Sequence, residues 1–436
     1  VTNATQIVVI GIFIFFLVVA VIVFAAFGTS STNKQAATVE IWGTLPTSVF
    51  SNIVNTLNSA QPGTLNMVYK EIDPATFEGI LVNAIADGEG PDAVLLPSDL
   101  LVKQQRKLAL VSFEAYSERD FKDSFIQGSE ILLTTKGTYG LPFLVDPLVM
   151  YWNRDILNAA AIAVAPTSWE QMLSLSEKLT KRDEANVIKQ ATLPFGDYAN
   201  VDHAKDIITT LMMQSGSRLT GRDNNGNVKN LTADNAGYST NPVQTALDFY
   251  TQFADPLKPV YTWNRSFVSS KDAFLNGDLA FYFGPASEYK ELQSKNPNLN
   301  FDVAAYPQPK LATVKKTGAT IYSFSVLASS RNQSAAFGTI AVLTSAEVEK
   351  MANITTGLPP ARRDLLSVPQ SGAVGDVFWR SALWGATWLD PDPIKTDRIF
   401  NEAVGSIVTG RQKVDEASKT LGAQIDEILR NLVIVN

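Results

Sequence analysis

From Ile7 to Phe27 the chain is apolar on every face and carries no charged side chain. At 1.5 Å per residue a helix over this run would be about 31 Å long, which matches the hydrocarbon thickness of a bilayer. The pattern predicts an uncleaved membrane anchor over residues 1–28, because the apolar part of a cleaved signal is shorter and ends at small residues. Residues 29–37, Thr-Ser-Ser-Thr-Asn-Lys-Gln-Ala-Ala, then read as a flexible tether. The flanks do not fix orientation: Val1–Gln6 has no Lys or Arg, and Lys34 lies on the other side.

Beyond Ala37 the period changes. Val39–Trp42 reads as a strand, and Val49, Ile53, Val54 and Leu57 recur at helical spacing over Pro46–Ala60. Leu65–Ile72 alternates like a strand, and Phe77, Ile80, Leu81, Ala84 and Ile85 form the buried stripe of a second helix. Asp92–Leu96 is a short apolar run suited to a strand covered on both faces. This alternation predicts a mostly parallel sheet, and ligands of such sheets bind beyond the carboxyl ends of the strands. Trp42, Thr44, Ser98 and Asp99 therefore share one predicted edge.

After Tyr151 longer helices dominate. Ser168 is a predicted cap for a helix carrying Met172, Leu175 and Leu179, and Pro242–Phe253 is a second helix. Asp223–Asn227 predicts a hairpin turn; the calcium-loop pattern fails there, since Val228 stands where Gly is needed and Asp234 where Glu is needed. Leu279–Phe283, Phe301–Tyr306 and Tyr322–Ala328 read as strands, with helices over most of Ser334–Ala352 and Asp397–Ile434.

At 436 residues, 45% of them hydrophobic, the chain has material for two cores, and its net charge of −7 without a dense basic cluster argues against nucleic acid. The absence of cysteine removes disulfides, thiolate metal sites, a Cys nucleophile and a lipid-bearing Cys. His203 is the only histidine, so neither a Ser-His-Asp triad nor a zinc site is available, and it reads as a surface residue. No phosphate-loop or dinucleotide glycine pattern occurs, and neither a cofactor nor a bound metal is expected.

Several short motifs keep one order: Val39-Glu40-Ile41-Trp42; Tyr139-Gly140-Leu141-Pro142 through Asp146 to Met150–Asp155; Pro166–Glu170; Ala273-Phe274 through Gly277 to Gly284; and Gly357–Arg362. Together they resemble the extracellular solute-binding proteins of ABC importers, the maltose-binding-like family. The resemblance implies an α/β, periplasmic-binding-protein-like two-lobe fold behind the N-terminal transmembrane helix. It implies 38–146 and 289–325 as lobe 1 and 147–288 and 326–436 as lobe 2, with chain crossings near Pro142–Leu148, Gly284–Glu288 and Phe324–Ser330. Its implied partners are a small solute, with carbohydrate favoured, and an ABC transporter permease.

The resemblance also places Asp99 and Asp146 in cleft loops, with Arg362 a further polar candidate. Sugar recognition uses aromatic faces beside carboxylates and amides, so Trp42, Trp263, Tyr322, Trp384 and Trp388 are candidate stacking residues. Many carbohydrate-binding relatives have Trp shortly after the glycine matching Gly284; here Pro285–Tyr289 fills that stretch, and Tyr289 is the candidate substitute. A surface adhesion or scaffold protein reusing the fold, or a glycoside-processing enzyme working with two carboxylates, is the alternative.

Overall fold

The computed structural model describes residues 38–60, 65–368, 370 and 372–434. The anchor and tether expected over residues 1–37 lie outside these, and among the described residues no helix is long and apolar enough to cross a membrane.

The main elements follow the predicted alternation: β1 (Val39–Gly43), α1 (Thr47–Ala60), β2 (Met67–Glu71), α2 (Phe77–Ala86) and β3 (Ala93–Pro97). A long strand, β4 (Leu141–Asn153), is buried along its whole length. Helices α3 (Trp169–Leu179), α4 (Ala204–Gln214) and α5 (Pro242–Thr251) follow, then β5 (Phe281–Pro285), β6 (Phe301–Ala305) and β7 (Thr317–Val326). The chain ends with α6 (Gln333–Leu343), α7 (Ala346–Thr356), α8 (Ala373–Leu383), β8 (Gly385–Ala386), α9 (Pro393–Val408) and α10 (Val414–Ile434).

Local chemistry sets several boundaries. Ser168 opens α3 with a reciprocal capping box to Gln171, and Asn241 caps α5, whose first turn holds Pro242. Asp392 accepts from the backbone N–H of Lys395 at the start of α9. Gly357 stops α7 at φ +80°, a conformation that costs glycine little. The predicted hairpin forms between Thr220–Arg222 and Val228–Asn230.

Eight strands make one sheet in the order β5-β4-β7-β3-β1-β2, with β6 also paired to β4 and β8 to β7. The expected parallel arrangement holds for β1 with β2 and β3 and for the short β7–β8 pair. The pairings of β7 with β3, and of β4 with β5, β6 and β7, are antiparallel. The first half of β4, through Pro147, lies against β7, and its second half lies between β5 and β6.

Two hydrophobic cores straddle this arrangement. Ile41, Val94, Phe143, Val145, Phe324 and Ile340 belong to the first; Leu148, Met150, Phe195, Tyr250, Phe283 and Phe400 belong to the second. Along β4, core membership changes between Val145, in the first core, and Leu148, in the second. The other expected boundaries shift. Leu292, Val303 and Tyr306 pack in the second core, so residues 289–306 do not join lobe 1, and no crossing follows Gly284. Val326, Leu327, Ile340, Val348 and Leu366 pack in the first core, so residues 326–366 do not join lobe 2. A further passage runs along β7, between Tyr306 and Ile321; after Leu366 the chain alternates between the cores, with Phe378 and Trp388 in the second and Trp379, Ala382 and Leu389 in the first, before α9 joins the second at Ile399. The ladder of β7 with β3 runs to Val326, and Leu327, Ile340 and Val348 beyond it still pack in the first core.

Candidate functional site

A cavity of about 440 Å³ opens between the two lobes. The first lobe contributes Ser98 and Asp99 at the carboxyl end of β3, and the crossing strands contribute Asp146, Leu148, Gly318, Ala319, Thr320 and Tyr322. The second lobe contributes His203, Lys205, Asp206, Thr209 and Met213 from α4 and its approach, with Pro285 and Ser287 after β5; Ala386, Thr387, Trp388 and Asp390 complete the wall.

Each position has a local cause. Ser98 Oγ accepts from the backbone N–H of Ile321 at 3.2 Å and lies 3.3 Å from Thr387 Oγ1, so it joins β7 to the last crossing segment. Asp99 is half-buried, but its Oδ1 is sealed from solvent without a hydrogen-bond partner. Burial raises the Asp99 carboxyl to about 6, against the attraction of Lys205. Asp146, 6% exposed, accepts from the backbone N–H of Ser287 at 3.0 Å; burial raises it too to about 6, with that hydrogen bond opposing.

The second-lobe wall is paired internally. His203 sits at φ +59° just before α4, a left-handed conformation unusual for a residue with a side chain. Its Nε2 lies 3.0 Å from Glu288 Oε1, and its Nδ1 lies 3.9 Å from Asp206 Oδ2. Glu288 also receives Lys271 at 2.5 Å and the hydroxyl of Tyr282 at 2.6 Å. Burial works against its charge, yet the hydrogen bonds from His203, Lys271 and Tyr282 bring Glu288 down to about 2. Burial likewise opposes the charge on His203, and Glu288 raises it above the ordinary imidazole value. Lys205 donates to Asp390 Oδ2 at 3.0 Å and to the carbonyl of Pro393 at 3.1 Å.

Of the residues singled out from sequence, Ser98, Asp99, Asp146, Tyr322 and Trp388 line this one cavity. The others do not. Trp42 is 4% exposed within the first core, donates its indole N–H to Glu40 Oε1 and has the Lys70 ammonium 4.2 Å from its ring centre. Thr44, just beyond β1, is also off the lining. Trp263 is fully buried in the second core, stacked on Phe267 and hydrogen-bonded to Asn200. Tyr289 packs edge-on against Phe301 and Phe378, so it does not supply the missing aromatic. Arg362 pairs with Asp364 in the first lobe. Trp384 lies under Lys315 and lines a separate groove of about 850 Å³ with Trp152, Ser168 and Tyr306, to which Asp99 and Asp146 contribute nothing.

Sequence reasoning passed over His203, Lys205, Asp206, Thr387 and Asp390. His203 is a cleft residue, not the surface histidine expected. The available signal was the charged cluster Asp202-His203-Ala204-Lys205-Asp206 immediately before the apolar Ile207-Ile208.

The fold recurs among solved sugar-binding proteins. The sugar-binding protein MalE of Xanthomonas citri is 19% identical, with 92% of this chain and 99% of that one covered at a TM-score of 0.72. The cyclic α-maltosyl-1,6-maltose binding protein of Arthrobacter globiformis is 13% identical, with 91% and 100% covered at 0.73. The GacH receptor of Streptomyces glaucescens, solved unliganded and with acarbose, is 16% identical, with 91% and 99% covered at 0.66. These likenesses establish the two-lobed α/β fold of periplasmic binding proteins. Among curated sequences, proteins named as putative binding proteins in Brucella abortus (strain 2308) and Brucella suis biovar 1 (strain 1330) are each 22% identical over 370 residues, covering 80% of this chain and 82% of theirs. The sequence signature of bacterial extracellular solute-binding proteins matches residues 52–376, and the chain belongs to that family of binders rather than of enzymes.

Proposed function

We propose that the chain captures a small solute of the carbohydrate class between its lobes by hinge closure and presents it to an ABC transporter permease, with Ile7–Phe27 holding it at the membrane on the extracytoplasmic side. One observation carries this reading: a single cavity takes its walls from both lobes, Ser98 and Asp99 from one and Lys205, Asp206 and Thr209 from the other. A solute seated there contacts both walls only when the lobes are together, and that differential contact is what shifts an open–closed equilibrium. Tyr322 and Trp388 offer aromatic surface beside the carboxylates of Asp99 and Asp146, the mixture that suits a ring with hydroxyls. The sugars bound by structural neighbours support the same class.

Small-angle scattering across a panel of mono- and oligosaccharides, paired with thermal unfolding, tests this. The solute is expected to shrink the radius of gyration and raise the melting temperature with the logarithm of its concentration. A solute that stabilises the protein without contraction would remove hinge closure from the account.

A further inference from the structure

The charges around the cavity bear on the solute's own charge, a reading that rests on the capture between lobes proposed above but not on the carbohydrate class. Its lining holds four aspartates, Asp99, Asp146, Asp206 and Asp390, against one lysine and one histidine. Those cations already have partners: Lys205 is bound to Asp390 at 3.0 Å, and His203 to Glu288 at 3.0 Å. Asp206 lies 3.9 Å from His203 Nδ1, and Asp99, though within the attraction of Lys205, and Asp146 are left without an ion-pair partner on the lining. Asp99 Oδ1 is sealed off without a hydrogen-bond partner, and Asp146, nine-tenths or more buried, takes hydrogen bonds from the backbone and side chain of Ser287 but has no cation in contact.

A neutral sugar could donate hydroxyls to these oxygens, but it would displace water and leave the excess charge in a drier site, which is costly for a carboxylate. A cation removes that cost. An organic ammonium suits this lining better than a metal ion, since among the described residues no group of three or more His, Asp or Glu is placed to hold one. Tyr322 and Trp388 add aromatic surface, which also attracts organic cations.

We infer that the solute carries a protonated amine, received by Asp99 and Asp146 in the interlobar cavity. Two sources share this chemistry, an amino sugar and an aliphatic polyamine. The groups that face these carboxyls set its pH behaviour. Lys205, Asp206 and Asp390 surround Asp99, and Glu288 and His203 act on Asp146. An ammonium stabilises the ionised carboxylates, so its binding releases protons and strengthens as pH rises from about 5 to 7, below the range in which an amino sugar's own ammonium deprotonates. Binding of a neutral sugar lacks that dependence.

The experiment is calorimetric titration and thermal shift of the intact protein with glucosamine, de-N-acetylated chitobiose, spermidine, the N-acetylated counterparts of the two sugars, and maltose. An aminated probe is expected to bind at least about tenfold more tightly than its N-acetylated or neutral match. Asp99→Asn and Asp146→Asn are each expected to remove most of that preference. Because a variant could misfold, the wild-type pH series is the second readout. Binding of the aminated sugars or of spermidine alone upholds the inference and identifies the source. Maltose or an N-acetyl sugar binding as well as its aminated match overturns it and leaves solute capture standing. If no probe binds, the amine assignment is overturned; if no sugar in the wider scattering panel closes the lobes either, hinge capture fails separately.

Discussion

The two walls of the cleft are charged in opposite styles. On the second lobe every strong charge has a local partner, with His203 and Lys271 converging on Glu288 and Lys205 bound to Asp390. On the first lobe and the crossing strand, Asp99 and Asp146 lack such counterions, and burial lifts both carboxyls to about 6. A paired network holds its own geometry but has little left to offer a ligand. Unpaired carboxylates are costly in the empty protein and for that reason available. On the capture reading proposed above, the second lobe would serve as the frame, and the first lobe with the crossing strand as the recognising edge.

The largest effect is expected from breaking the frame. Glu288→Ala leaves His203 and Lys271 near one another without their shared carboxylate, and loss of one partner from a buried ionic cluster costs about 3–5 kcal/mol. Urea unfolding of the variant at neutral pH measures this, and a loss below about 1 kcal/mol would show that the cluster does not brace the wall.

Next comes the recognising edge, tested by pH. In the unfolded chain both aspartates titrate near about 3.9, whereas in the folded protein they retain protons up to about 6. Between those values the folded state binds more protons, so this contribution makes stability fall as pH rises from about 4 to 6. The full effect is on the order of 2–3 kcal/mol per group, less for Asp99 because it is only half-buried. Solute-free Asp99→Asn and Asp146→Asn proteins should each flatten that decline, and chemical denaturation at several pH values would reveal an unchanged slope if the carboxyls are not strained.

The seam between the walls is tight at Gly318. A Cβ there would collide with Thr210 Oγ1 on α4, so Gly318→Val is expected to cost about 1–3 kcal/mol by overpacking. Scattering should show the lobes pushed apart, and an unaltered profile would mean that α4 shifts to accommodate the side chain. The smallest effect belongs to Ser98. Ser98→Ala removes the hydroxyl that accepts from the Ile321 N–H and meets Thr387, for a loss of about 1 kcal/mol in the melting equilibrium.

Much of the recognising edge was legible in the chain. Asp99 follows an apolar strand bounded by Pro91 and Pro97, and Asp146 was marked by the family-like run from Tyr139 to Asp155. Trp42 was misplaced for a definite reason. Its strand is covered on both faces, so Val39, Ile41, Trp42 and Gly43 are all buried and the alternation that would reveal a side chain's direction is missing. The crossing near Gly284 came from the resemblance alone, and no local sequence signal shows that Ala286 and Leu292 pack in the same core as Phe283. The paired frame was the least legible part. His203, Glu288 and Lys271 meet only through tertiary packing, and none carries a periodic signal.

Pro147 sits where the sheet passes from one core to the other, immediately after Asp146 and opposite Ala319. Proline has no N–H to give a neighbouring strand, so the ladder is missing a possible rung at the junction of the lobes. A ribbon weakened at one rung yields first in torsion. If the lobes close as proposed, the β4–β7 ribbon at Pro147 is where the ladder resists a twist least, and Asp146 is the residue beside it in the chain.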